Sequence, residues 1–295
     1  MNLPINTPVV NGMKLLIILL TCALISGCAK VLFATANTAT LTFEGKIIDD
    51  VAYGPEARQQ LDIFVPELSS GESVPVVIFF HGGRWSFGNK DQYEFVGTKL
   101  ASMGYIAVLP NTRLYPEVKF PTFVEDAAQS VAWVQSNIGK YGGNEQLFIS
   151  GHSSGAHIGA LVVADEQYLK AAGGTVSFID GFIGLAGPYD FTPKADDLKK
   201  MFGPPEHFPE MVVSHYIDGD EPPFALLYSR DDDKVHISNL KKLKAKIEQE
   251  GGSVETFLYD EGGHTGTVSA FSWANPSDLP VVKDIKTFIE QQSSP

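Results

Sequence analysis

The chain has 295 residues, 44% of them hydrophobic, and its 35 Asp and Glu against 22 Lys and Arg give a formal net charge of −13. This length and apolar content are sufficient for one large hydrophobic core. A phosphate backbone is bound by clustered Lys and Arg, so the acidic balance argues against a nucleic-acid partner. Both cysteines, Cys22 and Cys28, lie near the N-terminus. The remainder of the chain can therefore form neither a disulfide nor a thiolate metal site.

The N-terminal residues have the pattern of an export signal. Lys14 precedes an apolar run at residues 15–20, after which the composition shifts to small residues. A membrane-spanning helix needs about 20 apolar residues, so this shorter run predicts a signal peptide over residues 1–27. Both Met1 and Met13 fit as the start, since Met13 directly precedes the basic residue.

A lipidation motif follows the apolar run. The tetrapeptide Ile25-Ser26-Gly27-Cys28 resembles the lipobox of bacterial lipoproteins. The resemblance implies that Cys28 is acylated, becomes the first residue of the mature protein and anchors it to a membrane. Ala29 in place of aspartate after the cysteine favours the outer membrane, with the protein facing the periplasm. Residues 28–40, small and polar, are then interpreted as a tether. An ordinary secretory signal with an incidental cysteine is the alternative.

The first predicted strands lead to a glycine motif. Residues 41–51 and 60–65 show strand-like apolar alternation, which predicts an antiparallel pair. Residues 74–80 are continuously apolar, as in a strand covered on both faces. This strand ends at His81-Gly82-Gly83-Arg84-Trp85. Glycine lets the backbone approach a ligand closely, so the N–H groups of both glycines are candidates for binding a substrate oxygen.

Helices and strands then alternate. A helix is predicted over residues 93–103 and a strand over residues 105–109. Residues 121–140 place apolar side chains at steps of three and four, which predicts a helix that closes at Gly142-Gly143.

The segment Gly151-His152-Ser153-Ser154-Gly155 is the strongest candidate for chemistry. It follows the apolar residues 147–149 and precedes residues 156–163, which have helical composition. A sharp turn between strand and helix holds a serine hydroxyl where a base can reach it. The positive end of the helix also favours a developing oxyanion. Ser153 is the predicted nucleophile, and the N–H of Ser154 is a third candidate donor. A chance match in a glycine-rich turn is the alternative for the motif taken alone.

The rest of the chain continues the alternation. Predicted strands cover residues 177–185, 224–228 and 254–259, and predicted helices cover residues 238–249 and 280–291. Residues 191–221 break the pattern with three prolines and an acidic cluster, and a stretch this long predicts a small cap over the site.

The alternation predicts an α/β fold with a mostly parallel central sheet and helices on both faces. Active residues in such sheets lie at the carboxyl ends of strands. Ser153, the run Asp231 to Asp233 and His264 all follow predicted strands. They are therefore expected at one edge of the sheet.

The order serine, acid, histidine is that of the α/β-hydrolases. From about residue 51 to residue 291 the sequence resembles the small carboxylesterases of this fold, a group with kynurenine-formamidase-like and feruloyl- or acetylxylan-esterase-like members. The resemblance implies an α/β-hydrolase domain over residues 41–295. The matching blocks are His81-Gly82-Gly83-Arg84-Trp85, Arg113-Leu114-Tyr115-Pro116-Glu117, Tyr141-Gly142-Gly143, the serine motif and Gly187-Pro188-Tyr189-Asp190.

The resemblance also implies roles for individual residues. Ser153 corresponds to the nucleophile and His264 to the general base. The family pattern His-Gly-x-x-Asp-x-x-Val lacks its His-Gly pair here, and alignment on Val235 makes Asp232 the acid, with Asp233 as the second choice. The oxyanion-hole candidates are the N–H groups of Gly82, Gly83 and Ser154.

Other side chains near the motifs are assigned to the pocket or to packing. Trp85 and Tyr189 are candidate walls of the substrate pocket, and for Trp85 a place in the core is the alternative. Packing is expected of His152 and His157, which flank the serine. The histidines show no metal-ligand spacing, so no metal and no cofactor are expected.

Three functions remain open at this point. The first is a membrane-anchored serine carboxylesterase that cleaves small acyl esters through an acyl-enzyme intermediate. The second is an arylformamidase-type amidase with an N-formylkynurenine-like substrate, against which the export signal argues. The third is a non-catalytic lipoprotein that keeps only the hydrolase fold, which the complete set of serine, acid and histidine disfavours.

Overall fold

The computed structural model describes residues 31–273, 275 and 278–293, so the predicted signal peptide and Cys28 lie outside the described residues. One eight-stranded sheet organises the described chain, in the order β1-β2-β4-β3-β5-β6-β7-β8. The strands are β1 (Lys46–Ala52), β2 (Gln60–Val65), β3 (Val74–Phe80), β4 (Ile106–Pro110), β5 (Gly143–His152), β6 (Gly181–Leu185), β7 (Phe224–Ser229) and β8 (Val254–Tyr259). The helices that connect and follow them are α1 (Glu94–Ser102), α2 (Thr122–Asn137), α3 (Ser154–Ala164), α4 (Glu166–Ala171), α5 (Asp196–Phe202), α6 (Ser238–Gln249), α7 (Gly263–Ser269) and α8 (Val281–Gln292).

The direction of the strands confirms the predicted fold. β1 pairs antiparallel with β2, and β2 pairs antiparallel with β4. All other neighbours are parallel. Phe80 lies opposite Gly151, and His152 lies opposite Leu185. The chain segments that follow β3, β5 and β6 therefore leave the sheet side by side.

Alternating side chains of the strands build two cores. Val76, Ile78 and Phe80 of β3 belong to one core cluster, to which α2, α3 and α6 contribute. Val77 and Phe79 belong to the other cluster, to which α1 and α8 contribute. Because successive side chains of a strand point to opposite faces, the continuous apolar run of β3 is explained by helices on both sides of the sheet.

The first described residues are folded onto the domain. Residues 31–36 are helical and Asn37–Thr42 is a 3₁₀ helix; together they are called the N-terminal segment below. Asn37 accepts a hydrogen bond from the Phe95 N–H at 3.1 Å, and Ala36 is buried. The stretch interpreted as a tether is thus packed against the start of α1 at Ala36 and Asn37.

The structure also adds detail to the predicted cap. Residues 191–221 contain α5 and the short 3₁₀ helices Pro205–Met211 and Val213–His215. The sequence predicts neither of the short helices α4 and α7. Among the helices of the described residues, none is long and apolar enough to cross a membrane.

Candidate active site

Ser153 occupies a strained turn between β5 and α3. Its backbone has φ 54° and ψ −121°, a conformation that non-glycine residues rarely adopt. The Ser153 N–H donates to the Leu185 carbonyl at 2.8 Å, and the Ser153 carbonyl accepts from the His157 N–H at 3.1 Å. Backbone hydrogen bonds on both sides hold the turn, so the strain is maintained by the surrounding fold.

Gly155 explains why this turn requires glycine. A Cβ at Gly155 would lie 2.1 Å from the Phe80 carbonyl oxygen and 2.5 Å from the His81 carbonyl oxygen. No side chain fits at such distances from backbone atoms. The first turn of α3 can therefore pack directly against the end of β3.

Three side chains predicted for catalysis meet at this turn. His264 Nε2 lies 2.9 Å from Ser153 Oγ, and His264 Nδ1 lies 2.9 Å from Asp232 Oδ2. The Asp232 carboxylate is almost fully buried, whereas the His264 side chain is 17% exposed. Serine, imidazole and carboxylate form one continuous hydrogen-bonded chain, the arrangement in which an imidazole can accept the serine proton.

The second oxygen of Asp232 is also satisfied. Asp232 Oδ1 accepts hydrogen bonds from the N–H groups of Lys234 at 2.8 Å and Val235 at 2.9 Å. Burial raises the pKa of Asp232, but the hydrogen bonds from His264 and from these backbone groups outweigh it, so the net pKa is below its ordinary value. Asp232 is thus held as a carboxylate.

The two neighbouring aspartates differ from Asp232. Asp233 is exposed and pairs with Lys234 at 3.0 Å. Asp231 is exposed as well, yet its Oδ1 accepts a hydrogen bond from the Gly263 N–H at 2.8 Å. Asp231 thus contacts the residue before His264, a contact that the sequence does not predict.

The loop after β3, residues 81–88, is shaped by a tight turn at Gly83. Gly83 has φ 140°, and a Cβ there would lie 1.9 Å from the Phe87 carbonyl oxygen. The Gly83 carbonyl accepts from the N–H groups of both Ser86 and Phe87 at 3.0 Å. The preceding carbonyl, of Gly82, lies 2.8 Å from His81 Nδ1. Both carbonyl oxygens are therefore occupied within the loop.

The N–H groups of Gly82, Gly83 and Ser154 have no backbone acceptor among the residues that the structure describes. Ser154 is the first residue of α3, where N–H groups lack partners within the helix. The Gly82 backbone already has a hydrogen-bond partner in the Tyr93 hydroxyl. Burial raises the pKa of this hydroxyl to about 12, and the hydrogen bond with Gly82 opposes that rise. Gly83 and Ser154 are therefore the donors with the fewest competing partners. Unpaired donors beside a serine hydroxyl suit the stabilisation of a negatively charged oxygen.

The His152 side chain contacts the backbone of His264, and the sequence does not predict this contact. His152 Nε2 donates to the His264 carbonyl oxygen at 3.0 Å, and the two rings lie 5.0 Å apart. Burial, followed by the charge of His264, lowers the pKa of His152 to about 3. The ring is therefore neutral, and its role exceeds the packing expected from the sequence.

Trp85 belongs to the loop after β3 and packs against the cap. Its indole stacks on Phe191 at a centroid distance of 5.7 Å and meets Phe202 and His157 edge-on at 4.9 Å and 5.2 Å. Trp85 and Ser154 also line a cavity of about 10 Å³, together with Phe80, His81, Phe87 and four further residues. Trp85 is thus both buried and adjacent to an oxyanion-hole candidate.

Tyr189 does not line an open pocket. Its side chain is fully buried and packs against Phe182 and Tyr228. A Cβ at Gly184 or Gly187 would clash with its ring, so the ring occupies the space that these two glycines leave. This finding corrects the assignment of Tyr189 to the pocket wall.

A larger cavity lies away from the serine. Its volume is about 580 Å³, and it is lined by the N-terminal segment, α1 and residues 270–273. In the described part of the chain, no group of three or more His, Cys, Asp or Glu side chains is placed to hold a metal ion.

The sequence is similar to one known family and to proteins named as esterases. The model of the family described as BD-FAE matches residues 61–247. A probable isoprenylcysteine alpha-carbonyl methylesterase of Arabidopsis thaliana is 29% identical over 240 residues, which cover 73% of this chain and 50% of the relative. The esterase LipQ of Mycobacterium tuberculosis is 29% identical over 239 residues, which cover 73% of this chain and 56% of LipQ. The chain spans about half the length of these relatives.

Solved structures share the fold. The tributyrin-phosphonate-inhibited esterase B of Lactobacillus rhamnosis superimposes with a TM-score of 0.76 at 19% identity, over 92% of this chain and 95% of that chain. A truncated carbohydrate esterase from gut microbiota gives a TM-score of 0.73 at 21% identity, over 84% of this chain and 96% of that chain. Together with the sheet topology, these superpositions show the α/β-hydrolase fold.

Proposed function

Because the chain belongs to the BD-FAE family, we propose that it is a serine carboxylesterase that cleaves small acyl esters through an acyl-enzyme intermediate. The observation that carries the proposal is the hydrogen-bonded chain from Ser153 Oγ through His264 to Asp232. The esterase names of the relatives support the same reaction class.

The geometry suggests how the reaction proceeds. His264 Nε2 accepts the Ser153 proton as Oγ attacks the ester carbonyl, and Asp232 stabilises the imidazolium. The N–H groups of Gly83 and Ser154, with Gly82 as a further donor, hold the oxyanion of the tetrahedral intermediate. The intermediate collapses when His264 returns the proton to the leaving alkoxide, which leaves the acyl group on Ser153. Water, deprotonated by His264, then attacks the acyl carbonyl, and His264 returns that proton to Ser153 Oγ as the carboxylic acid leaves.

The proposal includes export and anchoring. The lipobox-like residues 25–28 support a mature protein that starts at acylated Cys28 and faces the periplasm from the outer membrane. Growth with a labelled fatty acid should label the protein, and Cys28→Ser should abolish the label. A soluble, unlabelled mature protein would refute the anchor without affecting the esterase proposal.

A fluorophosphonate probe tests the chemistry. It should modify Ser153 stoichiometrically, because Ser153 is the hydroxyl that is both next to a base and beside oxyanion donors. Ser153→Ala should fold, resist the probe and lose kcat by on the order of 10⁶-fold. Ser238→Ala, at the start of α6 and outside the site, is the matched control and should label normally. A folded wild-type protein that resists the probe and cleaves no activated ester would favour the non-catalytic alternative.

A substrate panel separates the remaining alternatives. p-Nitrophenyl esters of graded chain length, acetylxylan, methyl ferulate and N-formylkynurenine should be compared on the same protein. We expect turnover of short acyl esters. Faster turnover of N-formylkynurenine than of every ester would instead support the amidase alternative.

A further inference from the structure

Exposed apolar side chains are concentrated near the start of the described chain. Six large apolar side chains of the described residues are exposed by more than 60%. Four of them lie on the N-terminal segment or contact it. These four form what we call the apolar patch: Val31, Leu32, Leu41 and Trp273.

Trp273 is oriented by the N-terminal segment. Its indole Nε1 donates to the Thr35 carbonyl at 3.2 Å and to Thr38 Oγ1 at 2.9 Å. The polar edge of the ring is thereby satisfied, although the residue is 67% exposed. An indole with a bonded N–H and an open apolar face suits a membrane interface, where tryptophan is enriched.

Val31 lies one helical turn before Thr35, whose carbonyl binds the same indole. Residues 31–36 are helical, and Thr35 Oγ1 donates to the Val31 carbonyl at 2.8 Å. One helical turn therefore separates Val31 from Thr35, a rise of about 6 Å. Leu32 follows at the next position and is also exposed. The apolar patch is thus adjacent to the point at which the described chain begins.

The length of the chain before Val31 limits its distance from the proposed anchor. Cys28 precedes Val31 by three residues. Three residues span at most about 11 Å, whatever their conformation. Cys28, held at the bilayer by its acyl chains, would therefore keep the Val31 Cα atom within about 11 Å of its own Cα atom.

We propose that the apolar patch rests on the phospholipid bilayer that holds the Cys28 acyl chains, and so fixes the orientation of the domain on the membrane. The inference depends on the lipid anchor proposed above and is independent of the esterase chemistry. A short lipid attachment and an apolar surface beside it reinforce each other, because the attachment keeps the patch at the bilayer.

The chain also limits the distance between the serine site and the apolar patch. His264 is the second residue of α7, and Trp273 follows the end of α7 by four residues. The two Cα atoms are therefore separated by at most about 22 Å.

Site-specific spin labels test the contact. If processing is as proposed, the mature lipoprotein has no free thiol, since Cys22 is removed and Cys28 is modified. Leu41→Cys and Phe178→Cys each supply one labelling site; Leu41 is 84% exposed and Phe178, outside the patch, is 61% exposed. The labelled lipoproteins are placed in phosphatidylethanolamine and phosphatidylglycerol vesicles. Collisions with dissolved oxygen, which concentrates in lipid, are compared with those of a water-soluble nickel chelate.

In the vesicles, the label at position 41 should collide less often with nickel and more often with oxygen than the label at position 178. The label at position 178 should stay accessible to nickel. Equal access to nickel at both positions in vesicles overturns the inference. Protection of position 41 from both reagents, with spin coupling that unlabelled protein dilutes away, would identify a second copy as the partner and also overturns it. Protection without coupling would place another segment of this chain over the patch, which likewise overturns the membrane contact.

Two further measurements on the same preparations separate the proposals. Mass spectrometry of the N-terminal peptide shows whether Cys28 carries acyl chains, and their absence overturns both the anchor and the membrane contact. Hydrolysis of a short p-nitrophenyl ester should be unchanged in Leu41→Cys and Phe178→Cys. If the wild-type lipoprotein does not hydrolyse this ester, the esterase proposal is refuted, and the measurement of the membrane contact stays valid.

Discussion

The catalytic edge and the cap are held in place by different kinds of contact. The catalytic edge comprises the serine turn, the loop after β3 and the loops that carry Asp232 and His264. At its centre, backbone atoms touch backbone atoms, as where α3 packs on the Phe80 carbonyl beside Gly155. The cap, residues 191–221, is held by side chains and loop backbone from distant parts of the chain, such as His157 Nε2, which donates to the Met211 carbonyl at 2.8 Å.

This difference indicates what each region can change. A contact between two backbones depends on glycine and on the path of the chain, so substitutions at the catalytic edge are expected to be costly. Contacts through side chains can be exchanged for others of similar volume. Under the proposed esterase function, we therefore expect substrate preference to be set mainly by the cap.

After loss of the nucleophile itself, the largest effect is expected when Asp232 loses its charge. Asp232→Asn should lower kcat by about 10²–10⁴-fold, because the carboxylate fixes the His264 tautomer and stabilises the imidazolium. Asp233→Asn should change kcat little, since Asp233 is exposed and pairs with Lys234. Steady-state kinetics with a p-nitrophenyl ester measure both. A damaging Asp233→Asn beside a benign Asp232→Asn would show that the acid has been assigned to the wrong residue.

Most of the fold could be predicted because its signals are local. The apolar run of β3 and the three-and-four spacing of α2 each reflect one element. The short helices α4 and α7, with six and seven residues, contain too few turns to show a period. The composition of the N-terminal segment indicates only a tether. Its packing depends on Asn37 and Trp273, and Trp273 is separated from Thr38 by 235 residues.

The site could be predicted where a motif implies a role. Ser153 and the glycine N–H groups follow from local patterns, and His264 and Asp232 follow from the family resemblance. The contact from His152 to the His264 carbonyl joins residues 112 apart through a backbone atom. Such a contact leaves no pattern in the sequence. The motif around Tyr189 does not reveal that Gly184 leaves room for its ring in the core, so the sequence places this side chain wrongly.

Acid should destabilise both regions through buried neutral histidines. Burial lowers the pKa of His157, beneath the cap, to about 4, and burial together with the charge of His264 lowers the pKa of His152 to about 3. Between these values and the unfolded value of about 6.5, the unfolded chain binds more protons than the folded one. The contribution of each histidine to the free energy of unfolding is therefore fully present above pH ~6.5. It falls as the pH decreases, by up to about 3 kcal/mol per histidine at pH ~4.

Denaturant titrations at several pH values measure this loss. His157→Phe should reduce the pH dependence below pH ~6.5, because one titrating group is removed. His236→Phe, at an exposed position, is the control and should leave the dependence as it is. An unchanged pH dependence in His157→Phe would mean that His157 does not remain neutral in the folded state. Raised pKa values at Asp62 and Glu94, caused first by burial, act in the opposite sense and reduce the total.

A smaller effect is expected from His152, which we infer to be a positioning residue. His152→Phe removes the donor to the His264 carbonyl and should lower kcat by about tenfold, a change of about 1.4 kcal/mol, with little change in KM. His152→Gln supplies an amide donor and should recover part of kcat. A loss of thermal stability with full kcat in the folded His152→Phe enzyme would assign His152 to packing alone.

The smallest effect is expected at an exposed ion pair that joins the two regions. Arg84, next to Gly83, places Nη2 3.0 Å from Asp197 Oδ1 and 2.9 Å from Oδ2, and the side chains are 44% and 51% exposed. Water screens charges at this exposure, so a double-mutant cycle with Arg84→Ala and Asp197→Ala should give a coupling of about 0.2–1 kcal/mol in stability. The coupling should decrease further in high salt. Phe202→Ala, which removes a buried ring that contacts Trp85, should cost about 3–5 kcal/mol by comparison. A salt-independent Arg84–Asp197 coupling above about 1 kcal/mol would mean that the cap is attached by charge rather than by its aromatic side chains. Asp197 would then act on the loop after β3 more strongly than its exposure implies.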